Sequence, residues 1–586
     1  MPTDMEGGRV QSTGKMMQPE EDDDEEEDDN DDGCLSRTMD AIYSRIGTFV
    51  EENSGVLRIG ALILLFAGYN AYLGAVIWRT VDEGDPIQWC DGSGFLFALT
   101  GVVYFCLIYF QIVKRFFGKA LAENVITPIV KGIDYAFSFR ASKLIAFVAF
   151  FAIVLGFIIY DTWDAPRRLQ SGIGIIVIVL FAFVFSRHPG KVVWRHVVWG
   201  LGLQFIFALM VLRWDFGRNV LECLSDKVKR FLEQANAGSA FVYGYLVNGV
   251  VSVRNVTAAD GSPIPGFGSG GMTVLSVIFF FSFVIQMLYY YGVMQWLVAK
   301  IGWVLQITIG TTAAESLSAS ANIFVGQTEA PLMVKPYLPI MTKSELHAIM
   351  TGGFATVAGT VLAAYISFGI SASHILAASV MSAPAALAIA KLFYPETEKS
   401  KTTADTVGEI SLDDHANVLD AAASGASQAV DLVMNIIANL IAFTSFIAFL
   451  DALVAWFALQ LGYDYVNFTW IIGRICMPLA WTMGVEWEDC DEVGELIGIK
   501  TIVNEFVAYS RLSEFGDTIQ PRSKLISTYA LCGFSNIAGI GIQLGGLSAL
   551  APNRKSDLSE IALRALISGS LACFLTACIA GILIDA

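Results

Sequence analysis

Long apolar segments recur along the chain from residue 56 to the carboxyl terminus. Each approaches the twenty or so residues that an α-helix needs to cross a bilayer. About eleven such segments predict an all-α polytopic membrane protein. They lie at Val56–Trp78, Ser93–Val113, Ser142–Tyr160, Gly172–Ser186, Trp194–Trp214, Thr273–Val298, Glu345–Ile370, His374–Phe393, Ala429–Leu459, Lys524–Leu547 and Leu558–Ile584.

Two further apolar segments are interrupted by polar residues. The first, Gly310–Tyr337, is broken by the string Gly326–Glu329, and the second, Gly494–Ser513, is broken by Asn504 and Glu505. Paired interruptions in two halves are typical of transporters built from inverted repeats, whose site lies near the membrane midplane. Irregular backbone at that depth is tolerated only around a protein-lined cavity. The pattern therefore predicts two re-entrant helical hairpins in inverted repeats.

Composition supports the membrane class. Of 586 residues, 55% are hydrophobic and 16% charged, with a mean hydropathy of +0.57, which excludes an ordinary soluble domain. The net charge of −18 comes mainly from Glu20–Asp32, where twelve of thirteen residues are acidic. Such a segment predicts a disordered tail within residues 1–50. Nucleic-acid binding is not expected, because it needs clustered basic residues.

Charges between the spans predict the orientation. Basic residues follow the second and fourth spans, whereas the loop after the first span is acidic. Cytosolic loops are enriched in Lys and Arg, so the amino terminus is expected in the cytosol and the Asn255 sequon outside. Gly217–Gln234 repeats apolar residues at helical spacing among charges, which predicts a helix lying on the membrane surface.

Glu329 and Glu505 are the first candidates for a functional site. A carboxylate at the bilayer centre costs about 2.5–3.5 kcal/mol, so it is seldom present without a use. Gln327, Thr328 and Asn504 beside them offer donors and acceptors suited to a polar, uncharged ligand. The alternative is that both segments are surface loops with solvated acids.

Further polar residues lie within apolar spans. Asn536 follows Phe534 inside Lys524–Leu547, and it either binds a ligand or forms a hydrogen bond between packed helices. Asn322 and Thr356 carry the hard oxygen atoms that a small cation prefers. No catalytic triad or zinc-binding motif occurs in the sequence.

Several long strings resemble those of concentrative nucleoside transporters of the eukaryotic type, over roughly Gly172 to the carboxyl terminus. They are Asn322–Leu332 (NIFVGQTEAPL), Lys343–Met350 (KSELHAIM), Met381–Ala385 (MSAPA), Gly484–Trp487 (GVEW), Lys500–Tyr509 (KTIVNEFVAY) and Tyr529–Phe534 (YALCGF).

The resemblance implies a sodium–nucleoside symporter of the plasma membrane. It would form a homotrimer in which scaffold helices hold the assembly and a transport domain moves like an elevator. Residues that the resemblance places at the nucleobase are Gln327, Thr328 and Glu329. Those that it places at the ribose are Glu505 and Asn536, with Phe534 beside the ligand. The sodium ligands that it implies are Asn322, Thr356 and the carbonyls of Val325 and Val357.

Three positions bear on selectivity. Gly539 stands where the family commonly has Ser, which removes a hydroxyl from the ribose site. Gly326 and Thr360 resemble members that accept purines. The resemblance therefore favours purine or broad selectivity.

The predicted spans, the interrupted segments and the resemblance together divide the chain into seven regions. They are an acidic tail (1–50), extra amino-terminal helices (51–171), scaffold helices with the interfacial helix (172–305), the first half of the transport domain (306–394), a polar connection (395–428), a long scaffold helix region (429–470) and the second half of the transport domain (471–586).

Two other classes of protein are weaker interpretations. A channel predicts a continuous polar stripe or a repeated filter loop, whereas the polar residues here cluster in two hairpins. A membrane enzyme needs a nucleophile, base or metal set, and the sequence suggests none.

Overall fold

The computed structural model describes residues 53–84, 89–109, 154–243, 270–402, 415–516 and 518–584, with a few scattered positions before residue 154. All its regular elements are helices within those ranges. The acidic tail, the Asn255 sequon and residues 403–414 of the polar connection lie outside the described residues. The chain divides into two compact units, Met1–Asp134 and Tyr135–Ala586.

The first unit contains helices α1 (Ser54–Glu83) and α2 (Gly92–Ile108). Polar pairs join them inside otherwise apolar surfaces: the Tyr69 hydroxyl lies 2.5 Å from Thr100 Oγ1, and the Tyr104 hydroxyl donates to Asn70 Oδ1 at 2.8 Å. Most of their large apolar side chains are exposed, as expected for helices that face lipid.

Between residues 169 and 243 of the second unit, all of which are described, four α-helices precede the functional region. They are α3 (Leu169–Val184), α4 (Trp194–Ala208), α5 (Asp215–Glu233) and α6 (Ala235–Tyr243). Helix α5 matches the predicted amphipathic segment. Helix α7 (Gly270–Tyr290) follows and packs against the 43-residue helix α13 (Val418–Gln460).

One order of elements then occurs twice. Hairpin 1 comprises α8 (Val293–Ile309), α9 (Ala313–Ala321) and the 3₁₀ segment Ala330–Ile340; hairpin 2 comprises α14 (Phe468–Met483), α15 (Cys490–Ile502) and α16 (Glu505–Phe515). Each hairpin precedes a broken helix. Broken helix 1 is α10 (Lys343–Ala355) with α11 (Gly359–Ser367), and broken helix 2 is α17 (Pro521–Leu531) with α18 (Ile537–Leu550). A continuous helix completes each set: α12 (Ala372–Phe393) and α19 (Lys555–Leu583).

Small residues allow the arms of hairpin 2 to pack closely. A Cβ atom on Gly494 would lie 2.4 Å from the Gly473 carbonyl oxygen, and one on Gly498 would lie 2.0 Å from Ile472 Cγ2. The continuous helices form the centre of the unit, with 89% of the best apolar window of each buried. The two sets of elements therefore share one core.

Three predicted spans differ from the observed elements. Thr273–Val298 is not one helix, because the chain bends by 78° between Ser276–Tyr290 and Val293–Ile309, with Gly292 at φ 73°. Glu345–Ile370 and Lys524–Leu547 are each broken near the middle. Each hairpin also has a first arm that lies before the predicted interrupted segment. In hairpin 1 this arm is α8, and in hairpin 2 it is α14.

Among the described residues, five helices are long and apolar enough to cross a membrane, and the bent pair α7–α8 would make a sixth. These are Ser54–Glu83, Pro166–Val184, Trp194–Arg213, Ala372–Phe393 and Pro552–Leu583. The polytopic helical class is therefore correct. The count of about eleven and the proposed domain boundaries stay predictions.

Candidate functional site: a junction of two hairpins and two broken helices

The tip of hairpin 1 begins where α9 ends. The Thr312 hydroxyl and the Glu315 carboxylate cap the first turn of α9 reciprocally, which satisfies two of its free amide groups. After Ala321 the backbone turns until Glu329, whose Oε2 accepts a hydrogen bond from the Gly326 amide at 3.0 Å. The turn therefore holds the Glu329 carboxylate at the tip.

Hairpin 1 meets broken helix 1 at this turn. The Gly359 amide donates to the Phe324 carbonyl at 3.0 Å. A Cβ atom on Gly326 would lie 3.4 Å from Ala358 Cβ, so the two segments are in van der Waals contact. Val325 directly follows Phe324, and Val357 lies two residues before Gly359, so both are close to this hydrogen bond.

Asn322 and Thr356, two of the predicted sodium ligands, both lie beside Gly352. The Asn322 amide nitrogen would be 3.0 Å from a Cβ atom on Gly352, and the Thr356 hydroxyl donates to the Gly352 carbonyl at 2.9 Å. Asn322 Oδ1 is buried without a hydrogen-bond partner among the described residues. A buried acceptor of this kind is costly unless satisfied, and it fits a small cation that prefers oxygen ligands.

The two broken helices meet at their breaks. The Phe534 amide donates to the Thr356 carbonyl at 3.2 Å. A Cβ atom on Gly533 would lie 2.8 Å from the Phe354 carbonyl oxygen, so glycine is required for this approach. The sodium-site candidates are thus one hydrogen bond away from the segment that carries Phe534 and Asn536.

Glu505 begins α16 after the break in hairpin 2 and is only 5% exposed. It accepts hydrogen bonds from the Tyr365 hydroxyl at 3.1 Å and from the Asn536 amide at 3.2 Å. Asn536 Oδ1 accepts from the Gly539 amide at 2.7 Å and so caps α18. Glu505 and Asn536 are therefore brought together, as a shared role requires.

Gln327 and Thr328 lie against α18. A Cβ atom on Gly546 would be 3.1 Å from Thr328 Cγ2. Gly353 lies between Gln327 and Gln543, because a Cβ atom there would be 2.8 Å from Gln327 Cβ and 2.2 Å from Gln543 Nε2. Both side-chain carbonyl oxygens of these glutamines are buried without a hydrogen-bond partner in the described part of the chain.

A cavity of about 430 Å³ lies beside the hairpin 1 tip. Its lining includes Glu329 from hairpin 1, Thr360 from α11, and Tyr289, Gln286 and Gln428 from α7 and α13. Glu505 is not part of that lining. Helix α11 connects the surroundings of Glu329 and Glu505. It carries Thr360, which lines the cavity beside Glu329, and Tyr365, which bonds Glu505. These two residues lie about 7.5 Å apart along the helix axis.

Tyr365 and Gln543 were missed by sequence reasoning. Tyr365 is fully buried in an apolar helix, where its hydroxyl gives no polar signal in a hydropathy pattern. Gln543 is a lone amide in the glycine-rich helix α18, and an amide within an apolar span was the one signal that could have identified it.

Three family models match the chain: Na+ dependent nucleoside transporter N-terminus over residues 173–246, Nucleoside recognition over residues 272–372, and Na+ dependent nucleoside transporter C-terminus over residues 374–581.

Curated relatives cover most of the chain. "Solute carrier family 28 member 3" of Homo sapiens is 40% identical over 94% of this chain and 77% of the relative. "Sodium/nucleoside cotransporter 1" of Sus scrofa is 42% identical over 92% of this chain and 80% of the relative. These relatives are carriers and not enzymes.

Solved structures are also similar. CNTnw in an inward-facing, substrate-bound state superposes with a TM-score of 0.66 at 38% identity, covering 71% of this chain and 98% of that one. A doubly substituted CNTnw in an outward-facing state gives 0.66 at 37%, covering 71% and 98%.

The helical fold, the paired hairpins and the polar junction between them define a polytopic membrane transporter. More specifically, the chain belongs to the Na+-dependent nucleoside transporter family.

Proposed function

We propose that this protein is a symporter that uses sodium to concentrate nucleosides inside the cell. The observation that carries the proposal is the hydrogen bond between Phe534 and Thr356, because it joins the candidate ion site to the candidate ribose site. A symporter requires such a connection, since the ion and the solute must stabilise the same state of one domain.

Nucleoside recognition is divided between the two hairpins in this proposal. Gln327, Thr328 and Glu329 at the tip of hairpin 1 bind the nucleobase through donors and acceptors on its edge. Glu505 accepts hydrogen bonds from the ribose hydroxyls, and Asn536 orients the Glu505 carboxylate. Phe534 packs beside the ligand.

Sodium binds where hairpin 1 meets broken helix 1. The proposed ligands are Asn322 Oδ1, Thr356 and the backbone carbonyls of Val325 and Val357. Asn322 Oδ1, which is buried without a hydrogen-bond partner in the part of the chain that the structure describes, supports this assignment. An ion held there would fix the Thr356 carbonyl, and through it the segment that positions Phe534 and Asn536.

The driving force is sufficient for accumulation. One charge crossing a potential of 100 mV gains about 2.3 kcal/mol. A tenfold sodium gradient adds about 1.4 kcal/mol, since that energy equals a factor of ten in an equilibrium constant. One sodium ion per nucleoside therefore supports accumulation on the order of a hundredfold.

Purine or broad selectivity is the favoured substrate class. Gly326 leaves space beside the acid, since a Cβ atom there would lie 3.8 Å from Glu329 Oε2. A larger side chain would occupy the space that a two-ring base needs. Thr360 lines the same cavity as Glu329, together with Gln286 and Gln428.

Transport is proposed to follow an elevator mechanism in a homotrimer of the plasma membrane, with the amino terminus in the cytosol. The two hairpins, the broken helices and α12 and α19 form the moving domain. Helices α7 and α13, which pack against each other, belong to the scaffold.

Radiolabelled uptake tests the proposed function directly. Cells expressing the protein are expected to accumulate adenosine, with or without uridine, in sodium medium and to lose that uptake when choline replaces sodium. Uptake that persists in choline would refute symport. Absence of nucleoside uptake in sodium, with the protein at the cell surface, would refute the substrate class.

A further inference from the structure

Lys500 is a buried cation in the last turn of α15, with only 1% of its surface exposed. Its ammonium group donates a hydrogen bond to the Ala530 carbonyl at 2.7 Å and lies 5.7 Å from the centroid of the Phe574 ring. Burying a charge is unfavourable unless dipoles or opposite charges compensate it. The surroundings of Lys500 therefore have to supply that compensation.

Two groups provide it. Ala530 lies in the last turn of α17, where the carbonyl groups at the end of a helix carry a partial negative charge. The second group is the Glu505 carboxylate, which interacts electrostatically with the Lys500 ammonium. No carboxylate within the described residues lies close enough to Lys500 for a direct ion pair.

This position connects the two segments that form the candidate ribose site. Lys500 belongs to hairpin 2, five residues before Glu505, whereas Ala530 immediately precedes the break of broken helix 2. The same break ends at Asn536, which donates to Glu505. A single side chain thus fastens the acid-bearing segment to the segment that carries its amide partner.

We propose that Lys500 is a positioning residue for ribose recognition. It fixes the distance between Glu505 and Asn536 through the Ala530 carbonyl, and its positive charge keeps the buried Glu505 carboxylate an effective acceptor for sugar hydroxyls. Lys500 does not itself contact the nucleoside. The inference rests on the proposed function, in which Glu505 binds the ribose.

Three substitutions separate the charge from the hydrogen bond. Lys500→Arg keeps both, Lys500→Gln keeps a donor for Ala530 without the charge, and Lys500→Met removes both at similar volume. The readout is the KM of sodium-driven uptake for adenosine and for 2′,3′-dideoxyadenosine, which lacks the two ring hydroxyls. The ratio of the two KM values measures hydroxyl recognition and is insensitive to the amount of protein.

Lys500→Gln and Lys500→Met are expected to raise the KM for adenosine by about tenfold, as for loss of a hydrogen bond to a charged group. The KM for the dideoxy compound should change little, so that the ratio of this KM to the KM for adenosine decreases. Lys500→Arg should preserve the ratio. The neighbouring Thr501→Val, which removes a hydroxyl that donates to the Ile497 carbonyl of its own helix, is the matched control and should behave as the wild type.

A wild-type ratio in Lys500→Gln, or equal increases in KM for both compounds, would overturn the inference. So would failure of both neutral variants to reach the surface while Lys500→Arg transports normally, since that result assigns Lys500 to folding alone. Failure of the proposed function is distinguishable, because the wild type would then show no sodium-driven adenosine uptake before any variant is made.

Discussion

An asparagine side chain caps the helix that follows each of the two breaks near Glu505. Asn504 Oδ1 accepts a hydrogen bond from the Val507 amide at 2.9 Å and caps α16. Asn536 caps α18 in the same way and uses its amide nitrogen for Glu505. A side-chain cap replaces a backbone partner that the break removes. In broken helix 2, the residue that caps the second half is thus also one that contacts Glu505.

Glu505→Ala is expected to abolish nucleoside uptake, because it removes the acceptor for the ribose hydroxyls and leaves the Tyr365 hydroxyl and the Asn536 amide without their partner. Uptake per surface-labelled molecule is the measurement. Glu514→Ala is the matched control on the same helix, since Glu514 is exposed and pairs with Arg511. Normal transport by Glu505→Ala would contradict the assignment.

Asn322→Ala is expected to raise the sodium concentration for half-maximal uptake several-fold, since it deletes one oxygen ligand. Sodium activation curves at saturating nucleoside provide the test. Asn417→Ala, at the exposed amino-terminal cap of α13, controls for loss of an asparagine. An unchanged sodium curve would argue against the ion site.

At the scale of elements, sequence reasoning located both hairpin tips but missed the breaks in the helices that follow them. The tips were visible because Gln327, Glu329 and Glu505 interrupt apolar runs. The first break passes through Val357 and Ala358, which are as apolar as the helix on either side. Its stability comes from contacts distant in sequence, such as the Phe534–Thr356 hydrogen bond, and no local pattern encodes those.

The first arm of hairpin 1, helix α8, was missed for a related reason. Helix α8 is apolar and directly continues the apolar run of α7, so that the two were predicted as one span. Only the bend at Gly292 separates them. Hydropathy reports how apolar a segment is, whereas the direction of the chain between α7 and α8 depends on the backbone conformation of Gly292.

Gly539→Ser restores the side chain that the family commonly has, and we expect it to raise the nucleoside KM here. A Cβ atom at this position would lie 2.8 Å from the Phe534 carbonyl oxygen and 3.3 Å from Asn536 Oδ1, so the break must shift to accommodate it. Gly545→Ser on the same helix meets nothing within 4 Å and should leave the KM unchanged. A lowered KM for Gly539→Ser would show that the added hydroxyl outweighs the shift.

At the scale of the whole molecule, hairpin, broken helix and continuous helix occur in the same order twice, with the candidate site at the meeting of the four interrupted elements. The cavity is bordered by this assembly and by α7 and α13. An elevator mechanism requires the assembly to slide past those two helices, so contacts across the cavity must form and break in each cycle.

Cross-linking tests that motion. A cysteine pair replacing Thr360 and Gln286, bridged by a bifunctional thiol reagent, is expected to stop uptake because it joins the moving domain to the scaffold. The pair Gln286 and Gln428 joins two scaffold helices that pack against each other beside the same cavity and should leave uptake intact. Transport that survives a completed Thr360–Gln286 cross-link would contradict the elevator mechanism.

The length of α13 has a consequence for the lipid around the protein. Its 43 residues extend about 65 Å at 1.5 Å per residue, roughly twice the 30 Å thickness of the hydrocarbon layer. Met434, Ile441 and Phe449 are all more than half exposed along it. Such a helix either leans in the bilayer or extends its ends beyond the hydrocarbon layer. We therefore expect the turnover of the reconstituted protein to vary with acyl-chain length.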